Sequence, residues 1–201
     1  MEHKFDPHQF ADMRARRSSP SLRRAYQIMF LDLRGDDLKR AREWDLFIRF
    51  CEAGRLDIIP AEVEMLDPPW PDLTVEVFGR PHYFEMGEVV PQDFLRADSK
   101  RGKTLKLEPS PLIPVWNPLE TIIKKKMTKR YAVGSEPLSL VLYYERNDPI
   151  WDVLRPLVEE RRAEIVKCFD AGNFDHLWLF LANEKRIPFS LSKRNIAMPN
   201  R

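Results

Sequence analysis

Pro71-Asp72-Leu73-Thr74-Val75-Glu76-Val77-Phe78-Gly79-Arg80-Pro81-His82-Tyr83-Phe84-Glu85-Met86-Gly87-Glu88-Val89-Val90 is the stretch that decides how this chain folds. Two β-favouring runs flank a Gly79-Arg80-Pro81 turn, and the whole reads as a hairpin. Each run carries a carboxylate where an apolar residue is expected. Asp72 opens the first, and Glu85 lies inside the second. Side chains alternate along a strand, so Tyr83, Glu85, Gly87 and Val89 share one face, and Phe84, Met86, Glu88 and Val90 share the other. A hairpin can bring Asp72 and Glu85 together. Paired carboxylates suit Mg²⁺, a hard cation that takes oxygen ligands and keeps several waters. Taken alone, Asp72 after Pro71 also fits an ordinary strand start or turn cap. Glu85 is harder to place structurally, because a buried carboxylate without a partner is costly. Either that face is wet, or something binds it.

Upstream, the pattern from Asp36 to about Gly54 is helical. Asp36 or Asp37 can cap it, Leu38, Ala41, Trp44, Phe47, Ile48 and Cys51 recur at helical spacing, and Gly54 stops it. Residues 57–65 read as an imperfect strand, with Pro60 favouring an edge. Pro68-Pro69-Trp70-Pro71 is a stiff connector. Residues 1–35 are basic and weakly periodic, an N-terminal arm or extension in which 23–33 forms at most a short helix. Downstream, residues 91–116 read as an irregular insertion, basic and then proline-rich. A helix follows, with Asn117 as N-cap, Pro118 at its first position and Glu120 completing a capping box. Leu119, Ile122, Ile123 and Met127 form its apolar stripe. Leu138–Tyr144 reads as a buried strand, residues 149–169 as an amphipathic helix, and His176–Ala182 as a second buried strand. Residues 183–201 form a basic tail. The order helix, three strands, helix, strand, helix, strand predicts an α/β fold whose mixed central sheet is flanked by helices.

The chain has 201 residues, of which 43% are hydrophobic and 32% charged, enough for a sizeable core. No apolar run approaches the roughly 20 residues needed to span a bilayer. No signal-peptide core follows the N-terminus, so a cytoplasmic location is expected. Cys51 and Cys168 sit in helical contexts and read as small buried hydrophobes. The four histidines show no zinc-ligand spacing. Trp44, Trp151 and Trp178 fit core positions, whereas Trp70 and Trp116 lie in proline-rich loops and suit the rim of a cleft. A net charge of +2 does not by itself point to nucleic acid. Three basic clusters do so only if they converge: residues 14–24, residues 96–106 with Lys100, Arg101 and Lys103, and residues 124–130 with Lys125 and Lys129.

On Pro71-Asp72, Glu85 and this order of elements across residues 36–182, the chain resembles the PD-(D/E)XK nuclease superfamily, the restriction-endonuclease-like fold. The run Ile122-Ile123-Lys124-Lys125-Lys126-Met127-Thr128-Lys129-Arg130-Tyr131 before an apolar strand is also similar, since many divergent members carry a lysine-rich helix ending in tyrosine there. One departure is plain. The family places a lysine two residues after the second acid, and here that position is Gly87. Some divergent members supply the lysine from the following helix. Lys126 lies at the edge of the apolar stripe and is the best placed to do so, with Lys125 and Lys129 behind it.

The resemblance implies an αβββαβ core and hydrolysis of phosphodiester bonds in DNA, or alternatively RNA, by an endonuclease or exonuclease dependent on Mg²⁺ or Mn²⁺. Asp72 and Glu85 would hold the metal, the backbone carbonyl of Met86 would add a ligand, and Glu43 would be an accessory carboxylate. Lys126 would be the catalytic amine. Lys100, Arg101, Lys103, Lys125 and Lys129 would grip the nucleic-acid backbone, which sets affinity and not sequence preference. Without the motif lysine, the same fold also suits a degenerate relative that binds nucleic acid or a protein without cleaving. An interaction module unrelated to nucleic acid is a third reading. No membrane partner is expected, and the sequence leaves a homodimer open.

Overall fold

The computed structural model describes residues 4–89, 116–145 and 150–193. It is an α/β protein. Its six strands form one mixed sheet in the order β1 (Glu64–Met65), β2 (Leu73–Val77), β3 (Arg80–Glu88), β4 (Leu138–Tyr144), β5 (His176–Leu181) and β6 (Arg186–Ser192). The chain divides into two compact units. The first comprises residues 4–85 and 131–138, and the second residues 86–89, 116–130, 139–145 and 150–193. The expected insertion, with Lys100, Arg101 and Lys103, lies outside the described residues.

In the first unit, residues 7–32 are two helices where the sequence reading expected an arm or extension. Asp6 accepts from the His8 N–H and Pro7 follows it, opening α1 (Pro7–Arg16). Ser19 accepts from the Leu22 N–H and Pro20 follows it, opening α2 (Pro20–Asp32). Both starts join a capping oxygen to a proline at the first helical position, where no N–H is needed. The helices bury Phe10 and Tyr26, and Phe10 packs edge-on to Trp44 of α3 (Gly35–Gly54) at 6.3 Å between ring centres. Such a contact adds about 1 kcal/mol beyond area burial. Neither Asp36 nor Asp37 caps α3. Arg34 is the capping residue and makes no side-chain capping bond, its guanidinium donating instead to the Leu31 and Leu33 carbonyls, while Asp37 accepts from the Phe5 N–H. Gly54 does not stop the helix either, because it lies inside it, buried, and Arg55 takes the left-handed position at φ 53°.

The expected strand over residues 57–65 is a 3₁₀ turn at Pro60–Glu62 followed by the two residues of β1. The hairpin turn is also shifted from its expected place. Val77 pairs with Arg80, so the loop is Phe78-Gly79, and Arg80 and Pro81 belong to β3. Both loop residues have positive φ, 52° and 74°, as a two-residue hairpin matched to strand twist requires. Gly79 takes this conformation without a Cβ clash. Phe84 lies 4.7 Å from Phe47 between ring centres and 6.4 Å from Phe50, which anchors β3 on α3.

In the second unit, α4 (Trp116–Met127) opens one residue before the expected cap and ends four residues before Tyr131. Leu119, Ile123 and Met127 are its buried stripe. The single helix expected over 149–169 is two, α5 (Ile150–Glu160) and α6 (Arg162–Ala171), separated at Arg161. They form the crossover that lets β4 and β5 run parallel, with Ser139 paired to His176 and Tyr144 to Leu181. Every residue of β5 is buried, as its continuous apolar run predicts. Residues 186–192, expected in the basic tail, form β6, antiparallel to β5. Ile187, Phe189 and Leu191 alternate with Pro188, Ser190 and Ser192, and Pro188 is tolerated because β6 is an edge. Among the described residues, no helix is long and apolar enough to cross a membrane.

Candidate functional site

In the first unit, the β2–β3 ladder aligns Leu73 with Phe84. Asp72 immediately precedes β2, and that register continued one step past its last pair sets it across from Glu85. Asp72 is fixed there by its carbonyl, which accepts the Leu66 N–H at 3.0 Å. Asp72 is half-buried, and Glu85 is only 2% exposed. Directly opposed like charges on a strand pair are destabilising by a few tenths to about 1 kcal/mol. This arrangement is therefore not one that stability alone favours.

Tyr131 joins the two acids from outside any helix. Burial pushes its hydroxyl well above the ordinary tyrosine range, and Glu85, through charge and hydrogen bonding, and then the charge of Asp72 push it further. The backbone next to it ties the surrounding loops. The Ala132 N–H donates to the Pro69 carbonyl at 3.3 Å, and the Tyr83 N–H donates to the Pro137 carbonyl at 2.9 Å. The sequence reading quoted Tyr131 only as the end of a helix and gave it no role. No local spacing in the sequence marks it.

Glu43 sits half-buried on α3 with its carboxylate 3.8 Å from the Lys39 amine. Among the described residues, no group of three or more His, Cys, Asp or Glu side chains is arranged to hold a metal. Glu43 thus does not complete a three-carboxylate set with Asp72 and Glu85.

In the second unit, the half-buried Lys126 donates from Nζ to the Met86 carbonyl at 2.8 Å. It reaches that carbonyl by passing over Gly87. A Cβ at Gly87 would lie 3.7 Å from Lys126 Cε, 3.4 Å from Ile122 Cγ2 and 2.9 Å from Leu142 Cδ2. The bare backbone at position 87 spares a clash with the Leu142 methyl, and the lysine stem passes at ordinary contact distance. The carbonyl expected to ligate a metal is thus engaged by the lysine expected to assist it, although a carbonyl oxygen has a second lone pair. Lys125 and Lys129 are both exposed, and the Lys129 carbonyl accepts from Asn173 Nδ2 at 3.0 Å.

The donor chemistry fits Mg²⁺ or Mn²⁺. Two opposed hard carboxylates leave most of the coordination sphere to water and substrate, as Mg²⁺ prefers. Comparison with known proteins finds no matching family model, no matching curated protein and no matching solved structure.

Proposed function

We propose that the chain is a metal-dependent nuclease of the PD-(D/E)XK kind that hydrolyses phosphodiester bonds in DNA. The observation that supports this reading is the β2–β3 register, which, continued one step past Leu73 and Phe84, sets Asp72 across from the buried Glu85. In this reading Asp72 and Glu85 hold Mg²⁺ or Mn²⁺, and Met86 offers its carbonyl. Bound there, the metal would polarise a phosphoryl oxygen and lower the pKa of an attacking water. Lys126 supplies the positive charge that the motif lacks at Gly87, stabilising negative charge as it builds on phosphate. It is bonded to the carbonyl of the residue that directly follows Glu85. Tyr131 stays protonated at neutral pH, because burial and the nearby Glu85 charge hold its hydroxyl well above the ordinary tyrosine range. Lys125 and Lys129 are exposed and suit backbone contacts.

The test is cleavage of single- and double-stranded DNA with and without Mg²⁺ or Mn²⁺. Wild type cleaves only with metal, Asp72→Asn and Glu85→Gln fall to background while keeping their circular dichroism, and Lys126→Met loses roughly 100-fold or more. Robust cleavage by both carboxylate variants would sink the reading. A second reading is a degenerate relative that binds nucleic acid or a protein partner without cleavage. The bond from Lys126 to the Met86 carbonyl favours it, because an amine already satisfied by backbone is also what a relic site would keep. Salt-sensitive DNA binding with no cleavage, and no thermal stabilisation by either metal, would select it.

A further inference from the structure

Trp70 is 43% exposed, an unusual position for a large aromatic residue whose loop is firmly held. Its N–H donates to the Asp67 carbonyl at 3.2 Å, and the preceding carbonyl, Pro69, is held by Ala132. Its ring stacks on Tyr83 with 5.9 Å between centres and 20° between planes. Tyr83 supports one face, and the exposed surface is left for something else. The position matters as much as the exposure. Trp70 precedes Asp72 by two residues and Tyr83 precedes Glu85 by two. Tyr83 and Glu85 therefore share a face of β3, about 7 Å apart along the strand. The stacked pair thus neighbours the two acids, two residues away along the chain on each side of the hairpin.

We propose that Trp70, backed by Tyr83, is a stacking platform for an unpaired base next to the phosphate held at Asp72 and Glu85, so that the preferred substrate is single-stranded DNA or a frayed DNA end. This rests on the phosphodiester reading of the two acids. A base inside a duplex offers only its edges, because its faces are occupied by neighbours. An unpaired base offers a face, and an aromatic ring takes any base there without reading sequence. The rigid loop and the ring beneath the indole mean that little order is lost on binding.

The experiment measures binding of the full chain, in EDTA and low salt, to three labelled probes: a single-stranded oligonucleotide, the same strand with abasic positions, and its duplex. Wild type binds the intact strand most tightly. Trp70→Ala weakens that binding by about 10-fold or more, the size of one lost base stack, and Trp70→Phe largely restores it. On the abasic strand and the duplex, wild type and Trp70→Ala bind alike. Equal affinity of wild type and Trp70→Ala for the intact strand overturns the platform, as does an equal loss on the abasic strand. No binding of any probe also overturns it and leaves the indole as a protein contact. Because binding is read without metal, loss of the platform leaves the cleavage test of Asp72 and Glu85 standing. Conversely, metal-dependent cleavage that survives both carboxylate changes removes the catalytic reading without moving this comparison.

Discussion

Two tyrosines in the first unit, the buried Tyr26 and the half-buried Tyr131, both lie near carboxylates, and their surroundings differ. Tyr26 donates to Asp45 at 2.8 Å, and the Arg14 guanidinium bonds both Asp45 and Glu52. Burial raises Tyr26 well above its ordinary range, Asp45 raises it further, and Arg14 pulls it back. Burial likewise opposes the charge on Arg14, but Asp45 and then Glu52 outweigh it, and its pKa rises. At Tyr131 burial again leads, and the charges acting on it are two anions, Glu85 and Asp72. The first cluster contains its own cation and ties α1 and α2 to α3. The second places two carboxylates near one hydroxyl, and under the proposed function these are the groups that would hold a cation.

The largest expected effect tests the first cluster against the second. Arg14→Ala strips the cation from Asp45 and should cost about 3 kcal/mol, the usual penalty for breaking a buried pair. Glu85→Gln should cost nothing, or gain up to about 1 kcal/mol, because it relieves the opposition to Asp72. Urea unfolding of both variants without metal measures the contrast. If Glu85→Gln were as damaging as Arg14→Ala, Glu85 would be an anchor of the fold, and the two clusters would be alike.

Alkaline titration gives a smaller and sharper contrast. An ordinary tyrosine ionises near pH 10. Both tyrosines are raised in the folded protein, so the folded state keeps protons that the unfolded chain releases. Their contribution is therefore fully present below about pH 10 and is lost as pH rises above it toward the folded values. Tyr131→Phe and Tyr26→Phe should each make the high-pH fall in stability shallower. Mg²⁺ distinguishes them. A cation beside Asp72 and Glu85 should lower the Tyr131 transition, read as tyrosinate absorbance, and leave that of Tyr26 in place. Equal response of the two tyrosines to metal would break the comparison.

How legible all this was in the sequence depended on whether the signal was periodic. The continuous apolar runs of β4 and β5 and the stripe of α4 were readable because burial imposes them directly. The α3 cap was misread because aspartates at 36 and 37 support a first turn without occupying the capping position. The hairpin turn was misplaced by two residues because Arg80-Pro81 resembles a turn, whereas strand twist selected positive φ at Phe78 and Gly79. The strand β6 was hidden within a tail that was read by its charge, although Ile187, Phe189 and Leu191 alternate. Of the candidate site, Asp72, Glu85 and Lys126 could be named from pattern and resemblance. The approach of Tyr131 to the acids and the Trp70 stack on Tyr83 are contacts across the fold, and no local spacing encodes them.

Gly87 provides the finest test, because there the sequence reading and the geometry concern the same few cubic ångströms. An added methyl would meet Leu142 Cδ2 at 2.9 Å, too close, but Lys126 Cε only at 3.7 Å, an ordinary contact. The leucine terminus can rotate away and the lysine need not move. Gly87→Ala should therefore cost about 1 kcal/mol from overpacking, while the Lys126 bond to the Met86 carbonyl survives. Thermal unfolding reads the cost, and cleavage under the conditions used for Asp72→Asn reads the consequence. Near-wild-type cleavage with reduced stability means that position 87 matters only for its packing against Leu142. Loss of cleavage with stability unchanged means that the bare backbone at Gly87 is itself approached by substrate.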